Sequence, residues 1–343
     1  MSDPLRLSVI VPARDAAWCI EACLAGLARA GFAAEDIVVV DDASTDATAA
    51  LAQTFGAVVV TNTIGSGAAA ARNRGAGVTR GDILFFVDAD VVVHADVRSR
   101  LLAFFTAHPD VDALFGAYDN DPACPAPASK YRNLLHHYVH GKGPRRPGSF
   151  WTGCGAVRWT TFDRLQGFDD KQRMMEDVEF GIRLTKSGGV VALDPALCGQ
   201  HLKSWTIRSI ARTDLFDRAI PWSRLMLFGG GLSAELNLGG AHRLSAMLTA
   251  LIWLGLLSAP FAPLALVLAV VCCAGFVILN REFLLLVRRC AGPKAAFAAI
   301  PLHMLHYTSA LAGFAWVYLV EYLPGSLFSA LRLGHLQPGR VRR

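Results

Sequence analysis

The sequence predicts an α/β fold, with a sheet flanked by helices, followed by an α-helical membrane anchor. Short apolar runs alternate with helical stretches early in the chain, which is the pattern of strand-loop-helix units. Acidic residues recur where those runs end, at the edge where open α/β sheets bind ligands. No charged residue occurs in residues 245–280, and so long an apolar segment indicates membrane-spanning helices.

The apolar spacing places the elements in order. The predicted strands are residues 7–12, 37–40, 57–61 and 83–87. The predicted helices are residues 17–29, 47–55 and 130–140, and a further helix starts after the glycines at 65 and 67. The last strand, ILFFV, is apolar throughout, as expected of a buried parallel strand.

Two carboxylates, Asp88 and Asp90, follow that last strand directly. Two acids this close rarely lie together as bare anions, so a shared cation is indicated. Hard oxygen ligands favour Mg²⁺ or Mn²⁺. The alternative is a solvated strand end with two surface acids, because the D-x-D pattern is short and common.

Four short motifs in this order resemble the family 2 inverting glycosyltransferases, which have the GT-A fold, a Rossmann-like mixed sheet flanked by helices. They are VIVPARD at 9–15, VDDASTD at 40–46, AARNRG at 70–75 and VDAD at 87–90. The resemblance continues through WTGCGA at 151–156, GFDD at 167–170, MEDVEFGIRL at 175–184 and HLKSW at 201–205. It covers residues 1–205, and four ordered motifs are more specific than any one of them.

The resemblance implies a site for a UDP- or GDP-linked sugar. The residues that would hold the nucleoside are Pro12, Ala13, Asp15, Asp41 and Asp42. Which of the two adjacent acids reaches the base stays open. Arg72 would lie near the diphosphate and Lys203 would face a phosphate, while Asp88 and Asp90 would hold ribose and metal. His201 would complete the metal sphere, with an ordinary hydrogen-bonded histidine as the alternative.

The resemblance also implies that Asp177 is the general base, with Glu176 beside it in the catalytic pair. Chemistry supports this independently, because an inverting transfer needs an acceptor hydroxyl deprotonated as it attacks. The alternative is a helix N-terminus carrying acids that favour the helix dipole. The residues implied on the sugar and acceptor side are Trp151, Gly153, Cys154, Gly155 and Trp205.

One departure limits the reaction. Processive polysaccharide synthases of this family carry Gln-x-x-Arg-Trp near residue 200, whereas this chain reads QHLKSW, with no arginine before the tryptophan. The sequence therefore predicts transfer of one sugar and not polymer synthesis.

The predicted organisation is a catalytic domain over 1–205, an interfacial amphipathic segment over 206–243, about three transmembrane helices over 244–322, and a basic tail over 323–343. The spans are placed at 244–259, 263–280 and 297–320, with a re-entrant last segment as the alternative. The arginine-rich stretch over 206–224 suits an anionic membrane surface, or else packs on the catalytic domain. The catalytic domain is predicted on the cytoplasmic face.

Composition agrees with a membrane enzyme. The 343 residues are 53% hydrophobic with net charge +5, which fits attraction to anionic lipid, and no basic-aromatic alternation indicates nucleic acid. We predict a metal-dependent, hexosyltransferase-type enzyme that moves one sugar to a hydroxyl of a lipid or lipid-linked acceptor. The alternatives are a polyprenyl-phosphate glycosyltransferase and, from another class, a non-catalytic nucleotide-sugar-binding membrane scaffold.

Overall fold

The computed structural model describes residues 5–228 and 239–323. The described chain divides into two compact units. The first comprises residues 5–206, 239 and 280–300, and the second comprises residues 207–228, 240–279 and 301–323.

An eight-stranded mixed sheet forms the first unit, which confirms the predicted α/β class. The strands are β1 Leu7–Ala13, β2 Ile37–Asp42, β3 Val58–Asn62, β4 Ile83–Val87, β5 Val91–Val93, β6 Ala113–Tyr118, β7 Cys154–Arg158 and β8 Val191–His201. Their spatial order is β3-β2-β1-β4-β7-β6-β8-β5. The pairs β3-β2, β2-β1, β1-β4 and β6-β8 are parallel, whereas β7 runs antiparallel to β4 and β6, and β5 runs antiparallel to β8.

Helices cover both faces of this sheet. They are α1 Ile20–Arg29, α2 Thr48–Phe55, α3 Ala68–Val78, α4 Val97–Ala107, α5 Pro127–Lys142, α6 Trp159–Arg164 and α7 Glu176–Lys186. Along β1, Val9 and Val11 belong to the apolar core on one face, while Ile10 belongs to the core on the other. Burial on both faces explains why β1, β2 and β4 read as continuous apolar runs.

The remaining helices follow residue 206. They are α8 Ile207–Arg212, a π-helical turn Thr213–Ala219, α9 Ile220–Phe228, α10 Gly240–Ser258, α11 Leu264–Leu279, α12 Arg281–Ala291 and α13 Pro293–Trp316, extended by a π-helical turn Val317–Tyr322. In the second unit α10 packs so closely on α11 that a Cβ at Gly255 would lie 2.8 Å from the Ala265 carbonyl oxygen. The turn between them falls at residues 259–263, as predicted.

The described helices support a smaller membrane anchor than the sequence predicted. By length and composition, α10 alone could cross a membrane, and α11 with α12 would count as a second span only if this pair, bent by 66°, crosses as one. Helix α13 is long enough, but its histidines, tyrosine and hydroxyl side chains dilute its apolar character. Residues 229–238 of the predicted interfacial segment and residues 324–343 of the predicted tail (323–343) lie outside the described residues.

Candidate active site

The carboxyl ends of β1, β2 and β4 meet at one edge of the sheet, because these strands are parallel neighbours. Ala13 of β1 pairs in register with Asp41 of β2, so Pro12 and Ala13 lie beside the acidic pair. Asp88 follows Val87 of β4, and its backbone N–H donates to the Gly153 carbonyl oxygen at 3.4 Å. The topology therefore brings the predicted nucleotide and metal motifs to one place.

The carboxylate of Asp42 is engaged in hydrogen bonds within the protein. Its carboxylate accepts hydrogen bonds from Asn62 Nδ2 at 2.7 Å, from the backbone N–H and hydroxyl of Ser66 at 2.8 and 2.7 Å, and from the Gly67 N–H at 2.8 Å. Burial opposes ionisation, but these bonds outweigh it and hold the pKa of Asp42 below its usual value. Asp42 thus fixes the loop that leads into α3.

Asp41, unlike Asp42, has a carboxylate oxygen that receives no hydrogen bond within the described chain. Only 3% of the residue is exposed, and this oxygen is Oδ1. A buried carboxylate oxygen without a donor is costly. Asp41 is therefore the member of the pair with capacity for an N–H or O–H group of a ligand.

Asp15 joins the two loops that follow β1 and β2. Its carboxylate accepts from the Thr45 N–H at 2.8 Å and the Thr45 hydroxyl at 3.0 Å, while its own N–H donates to Ser44 Oγ at 2.9 Å. Asp15 adopts a left-handed backbone conformation with φ of 47°. The structure gives Asp15 a role in shaping this edge, and the nucleoside contact expected from the resemblance stays a prediction.

Arg72 lies on α3, which sits so close to the sheet that a Cβ at Gly75 would lie 2.6 Å from Ile10. Its Nη2 donates to Asp88 Oδ1 at 2.8 Å and its Nη1 to Glu176 Oε1 at 2.6 Å. Arg72 is 4% exposed with both terminal nitrogens engaged, while its Nε has no hydrogen-bond partner in the described chain. The diphosphate contact expected of Arg72 stays a prediction, and its bond to Glu176 holds the start of α7.

Burial raises the pKa of Asp88, the charge of Arg72 opposes that rise, and the neighbouring Asp90 adds to it. A nearby cation would stabilise the ionised form of an acid whose pKa is raised in this way. Asp88 has one oxygen held by Arg72, which leaves the other for a ligand.

Asp90 faces His201 at the end of β8. Asp90 Oδ2 lies 3.3 Å from His201 Nε2, and His201 Nδ1 lies 2.7 Å from Asn133 Oδ1. Because an amide oxygen only accepts, Nδ1 carries a proton, so Nε2 donates to the carboxylate when the ring is doubly protonated and faces it with a lone pair when the ring is neutral. Burial opposes ionisation of Asp90, but the hydrogen bond and charge of the protonated His201 ring and the charge of Lys203 hold its pKa below the usual value.

This pair fits a divalent cation. A carboxylate oxygen and an imidazole nitrogen that face each other need a proton or a metal ion between them, and a metal-bound histidine typically donates its other N–H to a polar partner, as His201 does to Asn133. Within the described residues no group of three or more acidic, histidine or cysteine side chains is arranged to hold a metal. The protein thus supplies a pair, and a metal ion here would keep positions for oxygen atoms of a substrate.

Asp177 lies in the first turn of α7. Its Oδ2 accepts from the Thr152 N–H and hydroxyl, each at 3.3 Å, and its Oδ1 accepts from the Val178 N–H at 2.8 Å. Burial and the charge of Glu176 raise the pKa of Asp177 to about 6, against the opposing charge of Arg72. A carboxylate with a pKa close to working pH is suited to general base catalysis.

Trp151 is the aromatic centre of the predicted acceptor side. Its ring lies 4.9 Å from Tyr118 and 4.6 Å from His136, and Tyr118 stacks on His201 at 4.2 Å. Gly153 is required beside it, because a Cβ there would lie 2.2 Å from the indole. The side chain of Cys154 is fully buried and Gly155 lies within β7, so these two contribute backbone and not a side-chain surface.

Lys203 and Trp205 form a cation-π pair, with Lys203 Nζ 4.5 Å from the indole centre. Trp205 is buried, and its backbone N–H donates to Ser129 Oγ at 2.7 Å. Trp205 supports Lys203 through this contact, and the acceptor contact expected of Trp205 stays a prediction. Sequence reasoning missed Thr152 and Asn133. The only signal for Thr152 was its place within the WTGCGA motif, and the only signal for Asn133 was its place on the α5 helix.

Comparison with known families identifies part of the chain. The sequence model of Glycosyl transferase family 2 matches residues 8–158, so this part of the chain is similar to that family. The validoxylamine A glucosyltransferase of Streptomyces hygroscopicus subsp. jinggangensis is 27% identical over 220 residues, covering 53% of this chain and 52% of the relative. The PGL/p-HBAD biosynthesis glycosyltransferase of Mycobacterium bovis is 31% identical over 122 residues, covering 34% and 47%.

The chain spans about half the length of these curated relatives. Among solved structures, the mannosyltransferase PcManGT from Pyrobaculum calidifontis, in complex with GDP-Man and Mn²⁺, superposes with a TM-score of 0.59 at 19% identity, covering 92% of this chain and 88% of that chain. This likeness shows a shared fold. The matches together confirm the prediction of a transferase enzyme.

Proposed function

We propose that this chain is a metal-dependent inverting glycosyltransferase that moves one sugar from a UDP- or GDP-linked donor to a hydroxyl of a lipid or lipid-linked acceptor. The observation that carries the proposal is Asp177, a half-buried carboxylate with a pKa raised to about 6, close in sequence to the part that matches family 2. A protein that only binds nucleotide sugars has no use for a base of this kind.

The residues at the carboxyl ends of the strands account for binding of the nucleotide sugar and departure of its diphosphate. Asp41 accepts an N–H of the nucleobase with its partnerless oxygen. Asp90 and His201 would hold a metal ion, and the His201 nitrogen would favour Mn²⁺, since Mg²⁺ prefers oxygen ligands. When bound there, such an ion would supply positive charge to stabilise the departing diphosphate. Mannosyltransferase PcManGT, which has this fold, was solved with GDP-Man and Mn²⁺.

The acceptor end accounts for inversion. Asp177 takes the proton of the acceptor hydroxyl as its oxygen attacks the anomeric carbon from the face opposite the leaving group. Thr152 orients the carboxylate through two hydrogen bonds, while Glu176 and Arg72 hold the start of α7. The Trp151 ring provides an apolar face on which a sugar can pack.

The membrane part of the proposal rests on α10 and on the apolar exposed side chains of α11, such as Val267, Val270 and Val271. We propose a multi-pass anchor with the catalytic domain on the cytoplasmic face. The full chain should stay in the membrane pellet after a carbonate wash. Release into the supernatant would contradict the spanning helices.

Mass spectrometry of reaction products tests the whole proposal. Purified protein is offered membrane lipids, Mn²⁺ and a panel of UDP- and GDP-linked sugars. We expect one lipid species that gains the mass of one sugar residue with one donor. Nucleotide-sugar binding without any transfer product would favour the non-catalytic scaffold instead.

A further inference from the structure

A cavity of about 430 Å³ lies between α5 and α12, which both belong to the first unit. From α5 it is lined by Tyr138 and Lys142, and from α12 by Glu282, Leu285, Leu286 and Arg289. None of these residues belongs to the active site described above. The cavity therefore needs an explanation of its own.

The walls of the cavity are held in place by a buried aromatic contact. Phe283 of α12 is fully buried, with its ring 5.8 Å from Tyr131 and 5.6 Å from Tyr138 of α5. Val287, one turn further along α12, is also fully buried. Helix α12 is thus fixed against α5 by its apolar side, and the cavity is a built feature of the first unit.

The polar lining is positive overall, with two cations and one acid. Lys142 Nζ lies 2.9 Å from Glu282, but these side chains are 64% and 57% exposed, and such exposed pairs are easily exchanged for another partner. Arg289 makes no ion pair or hydrogen bond to any residue in the described part of the chain. Its guanidinium therefore has donors available for an anion with several oxygens.

The same cavity has an apolar side, formed by Leu285 and Leu286. Leu285 is exposed although it is a large apolar residue. In the sequence α12 follows directly on α11, whose apolar side chains are largely exposed, and α12 itself carries exposed arginines at 281, 288 and 289. Leu285 and Arg289 lie one turn apart on α12 and line the same cavity, and a helix that mixes arginines with leucines in this way is typical of a membrane interface.

We propose that this cavity binds the phosphate headgroup of an anionic membrane lipid. Arg289 and Lys142 bind the phosphate oxygens, and Leu285 and Leu286 contact the first carbons of the acyl chains. The ligand is thus an amphiphile that carries a phosphate next to a hydrocarbon chain. The proposal does not depend on the transfer reaction, because none of its residues touches the donor, the metal ligands or Asp177.

Native mass spectrometry of the full chain in detergent, titrated with phosphatidylglycerol or phosphatidylcholine, tests this site. We expect the wild-type chain to retain the anionic lipid in preference, and Arg289→Gln to weaken that retention by about tenfold, the size expected for a lost charge-assisted contact. Arg288→Gln is the matched control, because Arg288 is exposed on the same helix, carries the same charge and does not line the cavity. It should change retention less than twofold.

Equal losses in both arginine variants would overturn the proposal, since they would indicate general attraction between a basic helix and anionic lipid. Equal retention of the two lipids by the wild-type chain would overturn it as well. Inorganic phosphate distinguishes the source of the anion. If it displaces phosphatidylglycerol at an equal concentration, the site binds free phosphate and not a lipid.

Discussion

Arg72 donates a 2.6 Å hydrogen bond to Glu176, although the two residues lie 104 positions apart. The same guanidinium holds Asp88, so one buried cation joins the loop after β4 to the start of α7. The acid next to Glu176 is the proposed base. The proposed metal loop and the proposed base are therefore positioned by a single side chain.

Replacing Arg72 by methionine should leave two carboxylates without their cation. Removing one partner from a buried pair typically costs about 3–5 kcal/mol, so Arg72→Met should lower the free energy of unfolding by an amount of that order. A urea titration in detergent measures it. Arg80→Met is the control, because Arg80 is exposed after the end of α3. Equal stability of the two variants would show that the Arg72 pair is not structural.

The two adjacent acids of β2 should behave differently. Asp41→Asn should weaken nucleoside diphosphate binding by about tenfold or more through loss of a charged acceptor, without loss of stability, because the described chain provides no donor to Asp41 Oδ1. Asp42→Asn should lower the melting temperature, because Asp42 accepts four strong bonds from the loop before α3. Calorimetric titration and thermal melts of both variants check this. The reverse pattern would mean that Asp42 reaches the base.

Asn133 should control metal affinity without touching the metal. Its oxygen fixes the ring of His201, and loss of such a supporting bond typically costs 10–100-fold in affinity. We expect Asn133→Ala to raise the Kd for Mn²⁺ by about that factor, measured from free Mn²⁺ by electron paramagnetic resonance. The control is His94→Ala, which breaks a second histidine-aspartate contact, to Asp119 at 2.9 Å, outside the site. If the control loses as much affinity as Asn133→Ala, the assigned metal site is wrong.

The pH profile should report Asp177. A base works only when deprotonated, so kcat/KM should fall as pH drops through about 6, the raised pKa of this carboxyl. Glu176 contributes to that rise, so Glu176→Gln should move the acidic limb to lower pH. Thr152→Val removes a donor to the carboxylate and should move the limb to higher pH. Limbs that shift in the same direction in both variants would rule out Asp177 as the titrating group.

Much of the fold follows from the sequence because β1, β2 and β4 are largely apolar on both faces, and acids stand at the carboxyl ends of β2 and β4. The D-x-D motif at Asp88 predicts the proposed metal loop from an equally local pattern. The difference between Asp41 and Asp42 was not predictable, because it depends on which residue faces the loop at Ser66. The partnership of Arg72 with Glu176 depends on helix packing between distant parts of the chain, which no local pattern encodes.

The membrane anchor was overestimated for a similar reason. Residues 245–280 lack charge, and that pattern predicts two helices, which the structure contains as α10 and α11. Whether a helix crosses a membrane depends on its length, and α11 has 16 residues, about 24 Å at the rise of an α-helix. That is shorter than the roughly 30 Å of a bilayer core.

Turnover of the Asp177→Asn variant tests the central claim most directly. Asparagine keeps the size of the side chain but cannot accept the proton, so kcat on a hydroxyl acceptor should fall by roughly 10²–10⁴-fold. Nucleotide-sugar binding should stay near the wild-type value, which shows that the variant is folded. Near-normal turnover with intact binding would contradict the hydroxyl-acceptor mechanism and favour a polyprenyl-phosphate acceptor, which is already anionic and needs no base.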